Sequence, residues 1–208
     1  MDIETIAREL FSGASASHDW DHTVRVHRLC EHIAHIEHAD MEVLHVAAFL
    51  HDIGRARQDA SQGAVCHAIY GARMAEPIVE RLPLTSGQKR NVLHSIRSHR
   101  FRGADAPETL EARVLFDADK LDAIGAIGIA RAYLFAGEIG ARLHSPDISV
   151  EESRSYSTDD TGYREFQVKL CKIHERMLTS EGKRLAAARH RFMEDFFGQF
   201  LLEYQGAR

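Results

Sequence analysis

The sequence contains no cysteine pair. Cys30, Cys66 and Cys171 are its three cysteines; they lie far apart and form no C-x-x-C unit. This argues against a disulfide framework and against a cysteine-held zinc, and reduced thiols are the expectation. Nor is there an apolar run of the roughly 18 residues needed to cross a membrane. The opening MDIETIAREL is acidic and amphipathic and does not read as a secretory leader. A cytoplasmic protein is therefore expected. Positive charge is not in excess either: the formal net charge is −5. That argues against a general nucleic-acid binder, which profits from a basic surface, but a local basic pocket for a small phosphate compound fits. Strand-like alternation, internal repeats and low-complexity tracts are all missing.

Histidine, by contrast, is plentiful, with 14 in 208 residues. The imidazole is a common metal ligand and proton carrier, so the excess points toward chemistry without locating it. The apolar fraction of 44% and charged fraction of 27% are those of an ordinary globular chain. The length suits one well-buried core.

Helical periodicity dominates. It predicts a helix over 23–38, with Val24, Val26, Leu29, Ile33 and Ile36 on its apolar face. A second is expected over 41–53, stopped by Gly54 as a C-terminal signal. Residues 55–63 read as a polar loop and 65–82 as a helix. Thr85 or Ser86 is placed to cap another that runs to about His99. A loop ending near Thr109 feeds VLFDADKLDAIGAIGIARAYLFAGEIG, read as one long apolar helix. Residues 141–162 form a polar excursion. REFQVKLCKIHERML and GKRLAAARHRFMEDFFGQFLLEYQ follow as two amphipathic helices. Phe192, Phe196, Phe197, Phe200 and Leu201 are expected in the core. The expected fold class is all-α, a single-domain helical bundle. Its metal-binding core would span about 18–137, with helices at about 160–205 packing on it.

Residues able to bind a metal recur in short clusters. SHDWDH carries His18, Asp19, Asp21 and His22; LHDIG carries His51 and Asp52; His67, His94 and His99 follow; FDADKLDAIG carries Asp117, Asp119 and Asp122. Neighbours on a helix point about 100° apart. His51 and Asp52 can therefore share an ion only in a crevice near the end of their helix, with other helices completing the site. Mixed imidazole and carboxylate ligation suits a catalytic Mn, Fe, Mg, Zn or Ni ion better than a closed structural site. Singly, each of these residues is more often structural: His67 or His99 hydrogen-bonded, Asp117 at a helix start, Lys120 and Arg73 solvated. It is their ordered combination that carries weight.

That order resembles the HD-domain superfamily of metal-dependent phosphohydrolases, whose pattern is H…HD…D. The segments SHDWDHTVRVHRL, AAFLHDIGR, HAIYGARMAEPIV, SHRFRG, LFDADKLDAIGAIGIARAYLFAGEIG and RHRFMEDFFGQFLLEYQG are similar to the small stand-alone bacterial and archaeal members, over most of the chain. The resemblance implies a helical bundle holding a divalent ion (Mn, Mg, Fe, Ni, Zn or Co) on His22, His51, Asp52 and Asp119, with Asp119 chosen by the family's register. One ion per chain is expected, and two are the alternative. The ion would acidify a bound water and draw a phosphoryl oxygen. Arg55, Lys120, Arg25 and Arg73 are the candidates for offsetting charge on the phosphate. Asp122 and His18 would support the ligands from behind. His67 and His99 complete the order H…HD…H…H…D found in two-metal branches; phosphate contact is the reading favoured for both, with a second ion as the alternative.

The resemblance implies a hydrolase of a small phosphate ester or anhydride, with a nucleotide as the best substrate class. The segment HDIGR resembles other branches, so a dinuclear-iron oxygenase and a cyclic-dinucleotide-type phosphodiesterase are the competing activities. No long nucleic acid or membrane is expected as a partner, and the chain would be a monomer or a homodimer.

Overall fold

The computed structural model describes residues 2–11, 20–101 and 105–207. Among these the regular structure is entirely helical, as expected. The chain divides into two compact units: residues 1–119 with 178–182, and residues 120–177 with 183–208.

The first unit is built around α3 (Met41–Leu50). Its residues Val43, Leu44, Val46, Ala47, Ala48, Phe49 and Leu50 are all buried. A helix apolar on nearly every side must be covered on every side. It packs against α1 (Ile3–Leu10), α2 (Trp20–Glu37), α5 (His67–Val79) and α6 (Ser86–Ser98). Asp40 caps it, accepting from the amides of Glu42 and Val43 at 2.9 and 3.4 Å. Thr85 and Gln88 form a reciprocal capping box at the start of α6. Both helix starts agree with the sequence reading.

The buried stripe of α2 differs from the expected one. It runs through His22, Thr23, Val26, Cys30, Ile33 and Ala34, whereas Ile36 is 46% exposed. Following apolar residues alone turned the predicted face away from His22, which the helix buries instead.

Two further expectations fail around Gly54. Residues 55–63 are not simply a loop, since α4 (Arg55–Ala60) occupies most of them. Gly54 itself has φ −84, an ordinary right-handed conformation rather than the left-handed cap of a helix end. What requires glycine there is proximity: a Cβ would overlap the carbonyl of His67 and the amide of Gly71. The residues after α3 thereby lie directly against α5.

Helix α7 (Leu110–Leu121) belongs to the first unit as far as Asp119. Residues 178–182 return to this unit, where Asp117 accepts from the amides of Leu178 and Thr179 and from the Thr179 hydroxyl, at 2.9, 2.8 and 2.6 Å.

The single helix expected over 114–140 is two. Ile124 is extended and Gly125 has φ +76, so α8 (Gly125–Glu138) starts afresh. The apolar pattern continues across the break, and only Gly125 marks it. Residues 141–160 have no regular structure. Then come α9 (Gly162–Glu165), a π-helical turn (Phe166–Leu170), α10 (Cys171–Ile173) and a 3-10 turn (His174–Arg176), where one regular helix was expected. In α11 (Ser180–Tyr204), Phe197 is buried but Phe192 and Phe196 are 48% and 36% exposed. The phenylalanine face is therefore only partly core.

Candidate metal centre

His51 and Asp52 leave the C-terminal end of α3 into a turn, and both are buried. Oδ2 of Asp52 lies 4.0 Å from Nε2 of His51. His22, on the buried stripe of α2, brings its Nε2 to 3.3 Å from that of His51 and 3.9 Å from Asp52 Oδ2. From α7, Oδ1 of Asp119 stands 3.5 Å from His22 Nε2.

The other oxygen of Asp52 faces a second pair. His67 opens α5 and His99 follows α6. Their Nε2 atoms are 3.1 Å apart, and they lie 3.1 and 3.6 Å from Asp52 Oδ1. One carboxylate thus sits between two pairs of imidazoles, an oxygen turned to each. His22, His51 and Asp52 could hold one cation, and Asp52, His67 and His99 another.

The hydrogen bonds behind these rings decide what the rings present. His51 Nδ1 donates to the Ala48 carbonyl at 2.7 Å, and His99 Nδ1 to that of Ile96 at 2.6 Å. A carbonyl only accepts, so Nδ1 carries the proton and a neutral ring presents a bare lone pair at Nε2. Burial pushes His51 down to about 4, against the opposing pull of Asp52, and pushes His67 down to about 4 as well. Burial alone would raise Asp52, but the facing imidazoles of His51, His67 and His99 and the Arg55 guanidinium hold it well below the ordinary carboxylate range. At neutral pH the centre therefore combines neutral His51 and His67 with an anionic Asp52. Lone pairs about 3 Å apart repel unless a positive charge lies among them. The mixed nitrogen and oxygen donors suit a divalent transition metal or magnesium.

Arg55, the first residue of α4, donates to Asp52 Oδ2 at 3.1 Å. Its Nε is buried and, among the described residues, has no hydrogen-bond partner. The side chains of Asp119 and Arg55 are 18% and 16% exposed, against 1% for Asp52 and 2% for His22, so solvent reaches the group on their side. Arg25 is half-buried one turn beyond His22, and Arg73 is exposed on α5. Lys120 and Asp122 fall in the second unit, where Asp122 accepts from Arg131 at 2.7 Å. His18 lies outside the described residues. Asp117, one of the three aspartates of FDADKLDAIG, is committed to Leu178 and Thr179.

Sequence reasoning missed Gln58. Its Oε1 accepts from His67 Nδ1 at 2.9 Å, from the His67 amide at 3.3 Å and from Arg100 at 2.8 Å. A polar residue in an apparent loop gave no signal of this; only a helical reading of RARQD would have turned attention to it.

The profile of the HD-domain family matches residues 19–124. An uncharacterised protein of Bacillus subtilis, YpgQ, is 31% identical over 211 residues, covering 98% of this chain and 93% of its own. The crystal structure of that protein in complex with ADP is similar at a TM-score of 0.72 and 29% identity, over 95% of this chain and 90% of the other. An HD-superfamily hydrolase from Bacillus thuringiensis is similar at a TM-score of 0.76 and 29% identity, over 98% and 95%.

Proposed function

The chain belongs to the HD-domain family of hydrolases, and from that premise we propose that it is a metal-dependent phosphohydrolase acting on a small phosphate ester or anhydride. The observation that carries the proposal is the arrangement around Asp52, where neutral imidazoles and carboxylate oxygens converge in a buried group beside a guanidinium with a donor to spare.

His22, His51, Asp52 and Asp119 would hold the divalent ion. Once bound, such an ion supplies the positive charge that acidifies a water and draws electrons from a phosphoryl oxygen. The protein groups then have separate tasks. Asp52 keeps its charge beside the Arg55 guanidinium, which donates to its Oδ2. The Ala48 carbonyl keeps the His51 proton on Nδ1 and so leaves Nε2 free to ligate. Arg55, tethered to Asp52 through one nitrogen, would direct Nε–H at a phosphoryl oxygen and offset the charge that builds there. His67 and His99 would contact the phosphate. Since their Nδ1 atoms are already engaged, they would donate through Nε2 only after taking up a proton.

A nucleotide is the proposed substrate class. A relative similar over almost the whole chain has been crystallised with ADP, and the net charge of −5 offers no track for a long polyanion. Among the described residues no helix is long and apolar enough to cross a membrane; a cytoplasmic monomer or homodimer is the accompanying proposal.

One observation favours a second reading with two ions. Asp52 Oδ1, His67 Nε2 and His99 Nε2 form a donor group of their own, sharing only Asp52 with the first. Metal content per chain separates the two readings.

The test is incubation of manganese-loaded protein with a panel of nucleotides and generic phosphate esters, with products resolved by chromatography. Release of phosphate or pyrophosphate that disappears in Asp119→Ala supports the proposal and names the bond. No release from any compound, together with two irons per purified chain, transfers the assignment to a dinuclear-iron oxygenase.

A further inference from the structure

The histidines around Asp52 are not held in the same way. His51 and His99 are fixed by carbonyls of their own helices, three residues back, which no side-chain substitution removes. His67 depends on a side chain, that of Gln58. We infer that Gln58, set by Arg100, is a positioning residue that keeps the proton of neutral His67 on Nδ1 and leaves Nε2 as a lone-pair donor facing Asp52.

The partners of the Gln58 amide decide which of its ends faces the histidine. An amide oxygen accepts and an amide nitrogen donates. Arg100 has only donors, and so does a backbone amide; both point at the same atom of Gln58, at 2.8 and 3.3 Å. That atom must be the oxygen. His67 Nδ1 lies 2.9 Å from it, so Nδ1 must bring a hydrogen. The guanidinium cannot lose its proton in a protein, which makes the arrangement independent of pH.

The lock has something to oppose. On the other side of the ring, Asp52 Oδ1 is 3.1 Å from Nε2, a distance at which a carboxylate readily accepts a hydrogen bond. Without Gln58, a neutral His67 gains most by moving its proton to Nε2 and donating to Asp52. Nε2 would then carry a hydrogen where the centre needs a lone pair, and any cation would first have to displace it. Gln58 removes that option, because an unprotonated Nδ1 would face an oxygen. The tautomer follows from the hydrogen bonds alone. Only its consequence for cation binding rests on the two-ion reading of the proposed function.

The experiment uses the full chain as wild type, Gln58→Leu and Gln58→Glu. In metal-free protein at alkaline pH, where a neutral imidazole must choose one nitrogen, 15N chemical shifts of His67 report the choice. Wild type and Gln58→Glu are expected to show the proton on Nδ1, and Gln58→Leu to show it moved to Nε2. Manganese titration follows. If two ions bind, Gln58→Leu should weaken one of them by about 10–100-fold, the usual cost of losing a residue that orients a ligand. The other ion should keep its affinity, and Gln58→Glu should restore both. His67 with its proton on Nδ1 in Gln58→Leu overturns the inference, as does wild type with the proton on Nε2. A wild type that binds a single ion removes the two-ion reading and leaves the tautomer result to decide. Should Gln58→Leu fail to fold, Gln58→Ala removes the same acceptor, and an unchanged His67 tautomer there overturns the inference equally.

Discussion

Gly54 and Gly71 meet backbone to backbone. A Cβ on Gly54 would overlap the Gly71 amide and the His67 carbonyl, whereas one on Gly71 would find its nearest neighbour, Gly54 N, at 3.3 Å. The contact brings His51 and Asp52, at the end of α3, against the start of α5 that carries His67.

An unequal response to alanine follows. Gly54→Ala introduces no backbone strain, since φ is −84, so its cost is purely overpacking, about 1–3 kcal/mol. Gly71→Ala lies inside α5, where alanine is the better helix former by about 1 kcal/mol, and its contacts need shift by only a few tenths of an ångström. Urea unfolding should show Gly54→Ala clearly destabilised and Gly71→Ala near wild type. If Gly54 were only a helix stop, Gly54→Ala would be neutral.

Two aspartates two positions apart should fail differently. Asp119 Oδ1 lies 3.5 Å from His22 Nε2, while Asp117 accepts three hydrogen bonds from Leu178 and Thr179. Asp119→Asn is expected to lose ion-dependent hydrolysis while unfolding at nearly the wild-type urea concentration. Asp117→Asn sets an amide donor among donors and should cost about 1–3 kcal/mol. Its activity should persist at a temperature where it remains folded. Parallel assays and unfolding curves check both, and the reverse pattern would exchange the two roles.

What the sequence made legible was whatever depended on residue type in order. His22, His51, Asp52, His67 and His99 are drawn together as the motif order suggested, and Thr85 caps where the sequence placed it. Relations between separate segments were not legible. Gln58 gains its role only once α4 exists and lies under the start of α5. The significance of Gly54 depends on Gly71, 17 residues on. The break between α7 and α8 was hidden because Leu121, Ile124 and Ile129 maintain an unbroken apolar rhythm, and periodicity registers burial rather than chain direction. The exposed Phe192 and Phe196 show the same limit in reverse.

Gly125 makes that break testable. At φ +76 a Cβ is strained, and it would also meet the Arg189 side chain at 3.0 Å. Gly125→Ala is expected to destabilise the protein by about 1–2 kcal/mol from the backbone alone. A continuous helix, by contrast, would gain from the same change. The sign of the shift in the unfolding midpoint decides.

The buried histidines set an acid limit for the metal-free protein. Folding lowers His51 and His67 to about 4 from an ordinary value of 6.5. Between those values the unfolded chain binds protons that the folded chain does not. Stability therefore rises with pH across this window and is lost as pH falls from 6.5 toward 4. Asp52, held well below the ordinary carboxylate range, loses its own contribution only below about pH 4, so the window belongs to the imidazoles. Two such groups amount to several kcal/mol. Urea midpoints in the presence of a chelator should fall steeply across this range, and His67→Gln should lessen the slope. Saturating manganese should raise the midpoint most at the upper end of the window, because protons and cation compete for the same nitrogens. A midpoint in chelator that stays flat from pH 6.5 to 4 would mean that these rings are not buried as neutral bases.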